Sequence, residues 1–351
     1  MMHGGNVWRG GEPSDWLDYS ANIRPEGAPE WVREALTGGM RNVSYYPDPG
    51  MRRAGRALAE YLKIDEACVC PTAGGISAID LATHLPASGM LVCTPCFGEY
   101  AMLSERRGKP VCAATLLEDR HRIGAPAAMI GQKLFGGCAV WLCNPLNPVG
   151  IAFSVEQIRA LLDCVERADG WLIVDEAFID YCPEHSVVSL VREHERLLVT
   201  GSMTKILGIP GVRLGYLCAQ PQVLGMLKRY QLTWELSCFA EAVTCALPEH
   251  AAEIRLDAQA NARRREMLRG GLEQMGVFVY PSEAAFLLAD FGRAVSPIAR
   301  GLEKRKILVR ECANFDGLND GCHLRLAVKD ERSNRKFIEA LREAMTCAES
   351  R

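Results

Sequence analysis

Short apolar runs alternate with longer amphipathic stretches through the middle of the chain. One amphipathic stretch, residues 154–168, opens with Ser154 three residues before Gln157, which is the spacing of a helix capping box. The apolar runs are rich in Val, Leu and Ile, as is typical of strands buried on both faces. They cover residues 90–94, 138–143, 171–174, 197–200 and 214–218. Strand and helix in alternation predict an α/β domain with a mostly parallel sheet.

The pattern changes at about Pro248. From there it predicts a long charged helix, two strands, a short helix, two further strands and a closing helix. These cover residues 249–275, 277–280, 286–290, 297–305, 307–310, 323–328 and 331 onward. This succession indicates a smaller α+β module. We therefore predict a large domain over residues 41–247 and a small domain over residues 248–351. Residues 1–40 are predicted to form an N-terminal arm and a helix that pack on the small domain.

Composition narrows the class of protein. Of the 351 residues 48% are hydrophobic and 24% are charged, as in ordinary soluble globular proteins, and the net charge of −3 favours neither nucleic acid nor membrane as a partner. The N-terminus shows no signal-peptide pattern, and no apolar run could span a bilayer. Fifteen cysteines, many in apolar stretches, indicate reduced thiols and a cytoplasmic protein. Cys93 and Cys96 form one C-x-x-C pair, and without a second pair no metal site is predicted.

Two loops follow predicted strands and are rich in turn residues. Residues 71–77 place Gly74 and Gly75 directly before a helical pattern. Backbone N–H groups at such a helix start can bind an anion with help from the helix dipole, although a tight turn explains the same sequence. Residues 144–150 contain two Asn-Pro steps, which force extended or turn geometry. A surface turn is the simpler interpretation of this second loop.

Two charged residues also lie at the ends of predicted strands, where open α/β sheets bind their ligands. Asp175 follows a very apolar run, and a carboxylate there is costly unless it meets a cation or a donor, such as Mg²⁺ or a protonated ring nitrogen. Lys205 lies among Met, Ile and Leu, where desolvation lowers its pKa and makes it a better nucleophile. Ser202 and Lys205 also match the S-x-x-K of penicillin-binding enzymes, but the S-D-N and K-T-G strings of those enzymes do not occur.

Taken in order, these four features resemble the fold-type I pyridoxal-phosphate enzymes of the aspartate aminotransferase superfamily. Within it the chain resembles the histidinol-phosphate aminotransferase branch, and there it is most similar to the L-threonine-O-3-phosphate decarboxylase family. The narrower likeness is carried by residues 3–6, 17–23, 204–205, 208–211, 310–315 and 324–327. The resemblance implies the fold-type I structure, with a mostly parallel central sheet in a large domain and a smaller α+β domain. It also implies pyridoxal 5'-phosphate as the cofactor.

The resemblance further assigns roles around the cofactor. Lys205 would form the Schiff base and later act as acid or base at the substrate carbons. Asp175 would pair with the pyridinium nitrogen, Asn147 would donate to the phenolic oxygen, and Tyr100 would stack on the ring. Tyr46 would reach the cofactor phosphate from a neighbouring subunit, which implies a homodimer with a shared active site. The other residues implied at that phosphate are Gly74, Gly75, Ile76, Ser202 and Arg213.

A small phosphorylated amino acid is the substrate class that the resemblance implies. Arg325 would bind its carboxylate with two parallel hydrogen bonds. The other implied substrate residues are His3, Gly4, Asn22, Asn147 and Arg310. The chain departs from the family pattern in the glycine loop at 73–76, at Arg24 in place of asparagine, at Phe178 in place of a tyrosine common in aminotransferases, and at Lys329 in place of a second arginine. These departures concern the substrate more than the cofactor.

Two reactions share these residues. Decarboxylation and transamination differ in which Cα bond is held perpendicular to the cofactor ring, which sequence does not encode. We predict decarboxylation of L-threonine-O-3-phosphate to (R)-1-amino-2-propanol O-2-phosphate and CO2 in cobalamin biosynthesis. L-serine-O-phosphate, one methyl smaller, remains open as a substrate, and so does an aminotransferase reaction like that of histidinol-phosphate aminotransferase. A non-catalytic pyridoxal-phosphate-binding regulator is the alternative from another class, although no segment resembles the DNA-binding domain of such regulators.

Overall fold

A computed structural model describes residues 4–349 of the chain. The strands, in chain order, are β1 (Leu17–Asp18), β2 (Val69–Thr72), β3 (Met90–Thr94), β4 (Val111–Thr115), β5 (Leu117–Asp119), β6 (Arg122–Ile123), β7 (Ala139–Cys143), β8 (Trp171–Asp175), β9 (Leu197–Ser202), β10 (Gly215–Cys218), β11 (Phe278–Val279), β12 (Phe286–Asp290), β13 (Ile307–Leu308), β14 (Arg310–Glu311) and β15 (His323–Ala327). The α-helices are α1 (Glu30–Gly39), α2 (Arg52–Leu62), α3 (Gly75–Ala82), α4 (Glu99–Arg106), α5 (Pro126–Ile130), α6 (Val155–Arg167), α7 (Pro221–Leu227), α8 (Cys238–Ala246), α9 (Ala251–Glu273), α10 (Ser296–Glu303) and α11 (Glu331–Glu349). Short 3-10 turns join several of these elements.

A seven-stranded sheet forms the centre of the larger part, in the order β2-β10-β9-β8-β7-β3-β4. Strands β3, β4, β7, β8 and β9 pair in parallel, whereas β10 runs antiparallel to both of its neighbours. Every residue of β7 and β8 is buried, as expected of strands covered by helices on both faces. The predicted α/β domain with a mostly parallel sheet is confirmed.

Most of the local predictions for this sheet are confirmed as well. All five predicted apolar runs lie on strands, and the capping box of α6 is formed, with Ser154 Oγ accepting from the Gln157 N–H at 3.3 Å and Gln157 Oε1 accepting from the Ser154 N–H at 2.9 Å. The apolar pattern did not predict β4, which lies at the sheet edge. Cys112, Ala113 and Thr115 of this strand are exposed, so its sequence carries no continuous apolar run.

The smaller part is built on a four-stranded antiparallel sheet in the order β11-β12-β15-β14. Its core is separate from that of the seven-stranded sheet and includes Leu268 of α9, Leu287 of β12, Leu324 of β15 and Phe337 of α11. The strand predicted over residues 307–310 is divided in two, because β13 pairs with β1 and β14 pairs with β15. The predicted α+β character of this part is confirmed.

The N-terminal segment contacts both parts, which corrects the prediction that its helix packs on the small domain. Strand β1 does pair with β13, and Tyr19 stacks on Phe337 with ring centroids 4.2 Å apart. Helix α1, however, lies mainly against α8, because its apolar residues Trp31 and Val32 are buried in the core of the larger part. The domain boundaries near residues 40 and 247 remain predictions. None of the helices within residues 4–349 combines the length and apolar character that crossing a membrane would need.

Candidate active site

The carboxyl ends of four parallel strands open into one cavity of about 1040 Å³. Thr94, Cys143, Asp175 and Ser202, which end β3, β7, β8 and β9, all line it. Parallel strands place their carboxyl ends at the same sheet edge, so residues far apart in the chain converge there. The predicted site residues that line this cavity are Gly4, Asn22, Gly75, Ile76, Asn147, Asp175, Ser202, Lys205, Arg213, Arg310 and Arg325. His3 lies outside the described residues.

Lys205 lies in the turn after β9, where its backbone carbonyl accepts a hydrogen bond from the Arg24 N–H at 3.1 Å. Burial, followed by the positive charges of Arg213 and Arg325, lowers the pKa of its ammonium group from 10.5 to about 8, while the charge of Asp175 opposes this shift. A lower pKa leaves more of the amine uncharged near neutral pH. The side chain is therefore suited to attack an aldehyde, as the sequence predicts.

Asp175 is a buried carboxylate supported by donors. Its Oδ1 accepts from the Ala177 N–H at 3.0 Å, and its Oδ2 accepts from the hydroxyl of Tyr100. The pKa of Asp175 is raised, because burial outweighs the Tyr100 hydroxyl, the Ala177 N–H and the charge of Lys205, all of which lower it. These groups favour the ionised form, which a protonated ring nitrogen in the cavity would need as its partner.

The structure corrects the ring-stacking role predicted for Tyr100. Tyr100 is fully buried in the first turn of α4, and its ring stacks on Trp141 with centroids 4.7 Å apart and planes 6° apart. It is not among the residues that line the cavity, whereas Phe97, one turn earlier, is. The sequence indicated that Tyr100 is a core residue, because Tyr100, Leu103 and Ser104 repeat at helical spacing on the buried face of α4.

Asn147 and Arg325 form a direct contact across the cavity. One terminal N–H of the Arg325 guanidinium donates to Asn147 Oδ1 at 2.8 Å, and the other donates to the Ser20 carbonyl at 2.7 Å. Because Oδ1 is occupied, the amide N–H2 of Asn147 is the group left to donate to a ligand. The Nε of Arg325 is buried and, among residues 4–349, has no hydrogen-bond partner. Burial lowers the pKa of Arg325 to about 10, which leaves the group charged at neutral pH.

Gly74 and Gly75 form a close-fitting anion cradle at the start of α3. Gly74 has a φ of +83°, and a Cβ there would lie 2.7 Å from Nη2 of Arg213. A Cβ on Gly75 would lie 3.2 Å from the Ser202 Cβ. The glycines therefore let the guanidinium, the Ser202 hydroxyl and the backbone N–H groups of the helix start approach one another, which is the arrangement that a phosphate requires. The change from the family's glycine loop keeps this backbone site intact.

Arg310 and Arg325 are direct cross-strand neighbours on β14 and β15. Both side chains are mostly buried and both line the cavity. Arg310 donates to the Asn314 side chain at 2.8 Å and its guanidinium carbon lies 5.0 Å from the centroid of the Phe315 ring. Like charges directly opposite each other on a sheet are unfavourable, so an anion in the cavity would stabilise this pair.

The N-terminal segment completes the cavity wall. A Cβ on Gly4 would lie 2.0 Å from the Ser20 carbonyl oxygen, so only glycine fits at this close approach. The Gly5 N–H donates to Ser20 Oγ at 2.8 Å, which holds this segment against the bend that follows β1. Asn22 is buried, and its Oδ1 has no hydrogen-bond partner within the described part of the chain. Ser20 was not singled out from the sequence, where a serine carries no specific signal.

Arg24 and Lys329, two of the departures from the family pattern, do not line the cavity. Arg24 instead forms two hydrogen bonds with Asp257 of α9, at 2.9 and 3.1 Å. Lys329 is partly buried, and its Nζ lies 3.5 Å from the Ala21 carbonyl. Arg24 therefore adds no charge to the cavity wall, because its guanidinium is paired with the Asp257 carboxylate.

Tyr46 is among the most exposed aromatic residues of the described chain, with 80% of its surface accessible. Its ring stacks on Trp234 with centroids 4.6 Å apart, and it does not line the cavity of its own chain. Other large apolar side chains exposed in neighbouring stretches of sequence are Met40, Val43, Tyr45, Tyr230 and Leu232. Exposed apolar surface of this kind is typical of a protein interface.

Comparison with known proteins agrees with this geometry. The family model described as aminotransferase class I and II matches residues 14–341. The chain belongs to this family. It is 30% identical to a threonine-phosphate decarboxylase of Salmonella typhimurium over 98% of this chain and 96% of the relative. It is 29% identical to the adenosylcobalamin biosynthesis bifunctional protein CobDQ of Leptospira interrogans, over 96% of this chain and 40% of that protein.

A solved structure supports the fold of this aminotransferase-family chain. The histidinol-phosphate aminotransferase from Clostridium acetobutylicum superposes with a TM-score of 0.84 at 28% identity, and the match covers 92% of this chain and 97% of that one. The fold-type I architecture is thereby confirmed. Family membership makes the chain a pyridoxal-phosphate enzyme. The glycine cradle, the donor-supported carboxylate and the buried lysine of low pKa fit that cofactor.

Proposed function

We propose that this protein decarboxylates L-threonine-O-3-phosphate to (R)-1-amino-2-propanol O-2-phosphate and CO2, as a step of cobalamin biosynthesis. The observation that carries the proposal is the cross-strand pair Arg310 and Arg325 in the cavity. A phospho-amino acid presents two anionic groups, and each guanidinium can bind one of them. The similarity to a threonine-phosphate decarboxylase over nearly the whole chain supports the reaction, and the similarity to the CobDQ protein supports the pathway.

The side chains of the cavity divide between cofactor and substrate. We infer that Arg213, Ser202 and the backbone N–H groups of Gly75 and Ile76 hold the cofactor phosphate, since the Gly74 N–H already donates to the Thr72 carbonyl at 2.8 Å. Asp175 would face the ring nitrogen, the Asn147 amide would donate to the phenolic oxygen, and Phe97 would cover the ring. When bound, pyridoxal phosphate draws electrons away from a bond at the substrate Cα, and so lowers the barrier to breaking it.

The chain's own residues then decide which bond breaks. Arg325, fixed by its contacts with Asn147 and the Ser20 carbonyl, would bind the substrate carboxylate and set its angle to the ring. Arg310 would bind the substrate phosphate, with Asn22 and Gly4 beside it, and His3 is a further candidate. The Lys205 side chain has a pKa of about 8, so its ammonium form is populated at neutral pH and would deliver a proton to the substrate Cα, leaving the neutral amine. The N-terminal segment would exclude water from this step.

A homodimer with a shared active site is part of this proposal. Tyr46 and the exposed apolar side chains near it support an interface, because a single chain leaves them in water. Tyr46 would then reach the cofactor phosphate of the other subunit. Sedimentation velocity tests this: a dimer is expected, and replacement of Trp234 by arginine should shift it toward monomer. A monomeric wild-type enzyme with full activity would contradict the shared site. A cytoplasmic location remains a prediction from the sequence.

An aminotransferase reaction is the second candidate, favoured by the similarity to a histidinol-phosphate aminotransferase. The two are separated by an assay without any keto-acid acceptor. Purified enzyme is incubated with L-threonine-O-3-phosphate or L-serine-O-phosphate, and CO2 and aminopropanol phosphate are measured. We expect catalytic CO2 release from threonine phosphate. Turnover only with histidinol phosphate and 2-oxoglutarate would favour the aminotransferase, and turnover with neither would favour a non-catalytic protein.

A further inference from the structure

Tyr100 donates a hydrogen bond to Asp175, although it does not line the cavity. Its hydroxyl donates to Asp175 Oδ2 from the side of the carboxylate that faces the core. Burial raises the pKa of Tyr100 well above its ordinary value, and the nearby negative charge of Asp175 raises it further. The phenol is therefore protonated near neutral pH and can donate to the carboxylate.

The surroundings of Tyr100 hold this hydroxyl in one place. The ring is fully buried and stacks in parallel on Trp141 of β7. The Tyr100 carbonyl accepts from Ser104 Oγ at 2.6 Å, within the same helix. Phe97 meets the Tyr100 ring edge-on at 5.8 Å between centroids. Strand β7 thus supports the ring directly beside β8, the strand that ends in Asp175.

The placement of the Tyr100 hydroxyl matters because burying an ionised carboxylate costs free energy unless hydrogen-bond donors surround it. One oxygen of Asp175 is held by the Ala177 N–H, whereas the other depends on Tyr100. Without the hydroxyl, Oδ2 could rotate, and the carboxyl would take up a proton more readily. Either change weakens its pairing with a protonated ring nitrogen, since second partners of this kind orient the groups that contact a cofactor.

We propose that Tyr100 is a positioning residue that keeps Asp175 ionised and oriented toward the ring nitrogen of the cofactor. The inference rests on the proposed function, since it assigns Tyr100 a role in the same site. It acts through Asp175 and not through contact with the ring, unlike the stacking role expected from the sequence.

The test removes the hydroxyl alone. Tyr100→Phe keeps the stack on Trp141, and Tyr181→Phe is a matched control, because Tyr181 is also buried and its hydroxyl has no hydrogen-bond partner among the described residues. The cofactor dissociation constant is measured by titrating each apoprotein with pyridoxal phosphate. We expect it to rise about 10- to 100-fold in Tyr100→Phe, as for the loss of a hydrogen bond to a charged group, and to stay within about twofold in the control.

A pH profile separates positioning from simple loss of stability. The groups near Asp175 are Cys96 from the loop after β3, Tyr100 from α4, Cys143 from β7, the neighbouring Glu176, the Ala177 N–H, Thr200 from β9 and Lys205 from the turn after β9. Removing the Tyr100 hydroxyl removes a donor to the ionised carboxylate, so the pKa of Asp175 should rise. The acid limb of the kcat/KM profile should then move to higher pH in Tyr100→Phe and remain in place in Tyr181→Phe.

A double-mutant cycle decides whether Tyr100 acts through Asp175. In the Asp175→Asn background, Tyr100→Phe should change the cofactor dissociation constant by no more than about twofold. If Tyr100→Phe alone does not fold, the double variant should fold, because the buried charge that needs the hydroxyl is gone. An unchanged dissociation constant and pH profile in Tyr100→Phe, additive effects in the cycle, or failure of both variants to fold would overturn the inference. Wild-type protein that binds no cofactor would instead refute the proposed function.

Discussion

Arg325 donates a hydrogen bond of 2.8 Å to the side-chain oxygen of Asn147. This contact joins β15 of the smaller sheet to the loop after β7 of the larger one, across the cavity that both parts enclose. This bond therefore orients two groups: the Asn147 amide presents its N–H2, and the Arg325 guanidinium is held with its buried Nε–H unpaired among the described residues. The cofactor side and the substrate side of the site are positioned relative to each other by this pair.

Replacement of Arg325 by lysine should impair substrate binding more than cofactor binding. A lysine cannot reach the Asn147 oxygen, the Ser20 carbonyl and a carboxylate with one planar group. We expect kcat/KM for threonine phosphate to fall about 100-fold or more, while the visible absorbance of the bound cofactor persists. Arg305→Lys, at an exposed ion pair with Glu343 on the smaller part, is the control. Equal losses in both variants would show that the effect is not specific to the cavity.

Replacement of Arg310 by glutamine should affect recognition of the phosphate. The variant keeps hydrogen-bonding capacity but loses the charge, so we expect KM for threonine phosphate to rise about 10- to 100-fold. Binding of unphosphorylated threonine should change little, because it offers no group for Arg310. Competition assays with threonine and with inorganic phosphate measure the two contributions separately. If both ligands lost affinity equally, Arg310 would not be the phosphate residue.

The rate at which apoprotein takes up the cofactor should depend on the ionisation of Lys205. Its pKa is lowered from 10.5 to about 8, chiefly by burial. Only the amine attacks the aldehyde, so the uptake rate should rise with pH up to about 8 and then level off. Stopped-flow absorbance after mixing apoprotein with pyridoxal phosphate gives this profile. A rate that still climbs between pH 9 and about 10.5, as for an ordinary lysine, would contradict the buried position of Lys205.

Glu176, next to Asp175, should make the folded protein less stable as pH rises. It is buried, and burial raises its pKa from 4.5 to about 8. The folded state therefore holds a proton that the unfolded state releases, and stability falls as pH rises from about 4.5 to 8. Glu176→Gln keeps an acceptor for the Val187 N–H, which now bonds Oε1 at 2.7 Å. We expect its melting temperature to exceed that of the wild type at pH 8 and to match it near pH 5. A parallel pH dependence in both proteins would refute this.

The sequence predicted the parts of the site that follow from chain order and burial. The apolar runs predict the strands of the parallel sheet, and the carboxyl ends of these strands lie at one edge. The sequence therefore predicts that Asp175, Ser202 and Lys205 lie close together. The direction in which each side chain points was harder to predict from the sequence. Tyr100 faces the core and Phe97 the cavity, which depends on where α4 begins, and Arg24 turns away because Asp257 is contributed by a helix more than two hundred residues later. The cross-strand pairing of Arg310 with Arg325 likewise depends on a register that no local pattern encodes.

The proposed function depends most directly on the attachment of the cofactor to Lys205. Reduction of the wild-type holoenzyme with sodium borohydride, proteolysis and mass spectrometry locate the lysine that carries it. We expect the pyridoxyl group on the peptide that contains Lys205, and we expect Lys205→Ala to retain no reducible cofactor and to release no CO2 from threonine phosphate. A pyridoxyl group on another lysine such as Lys329, or full turnover by Lys205→Ala, would contradict the account.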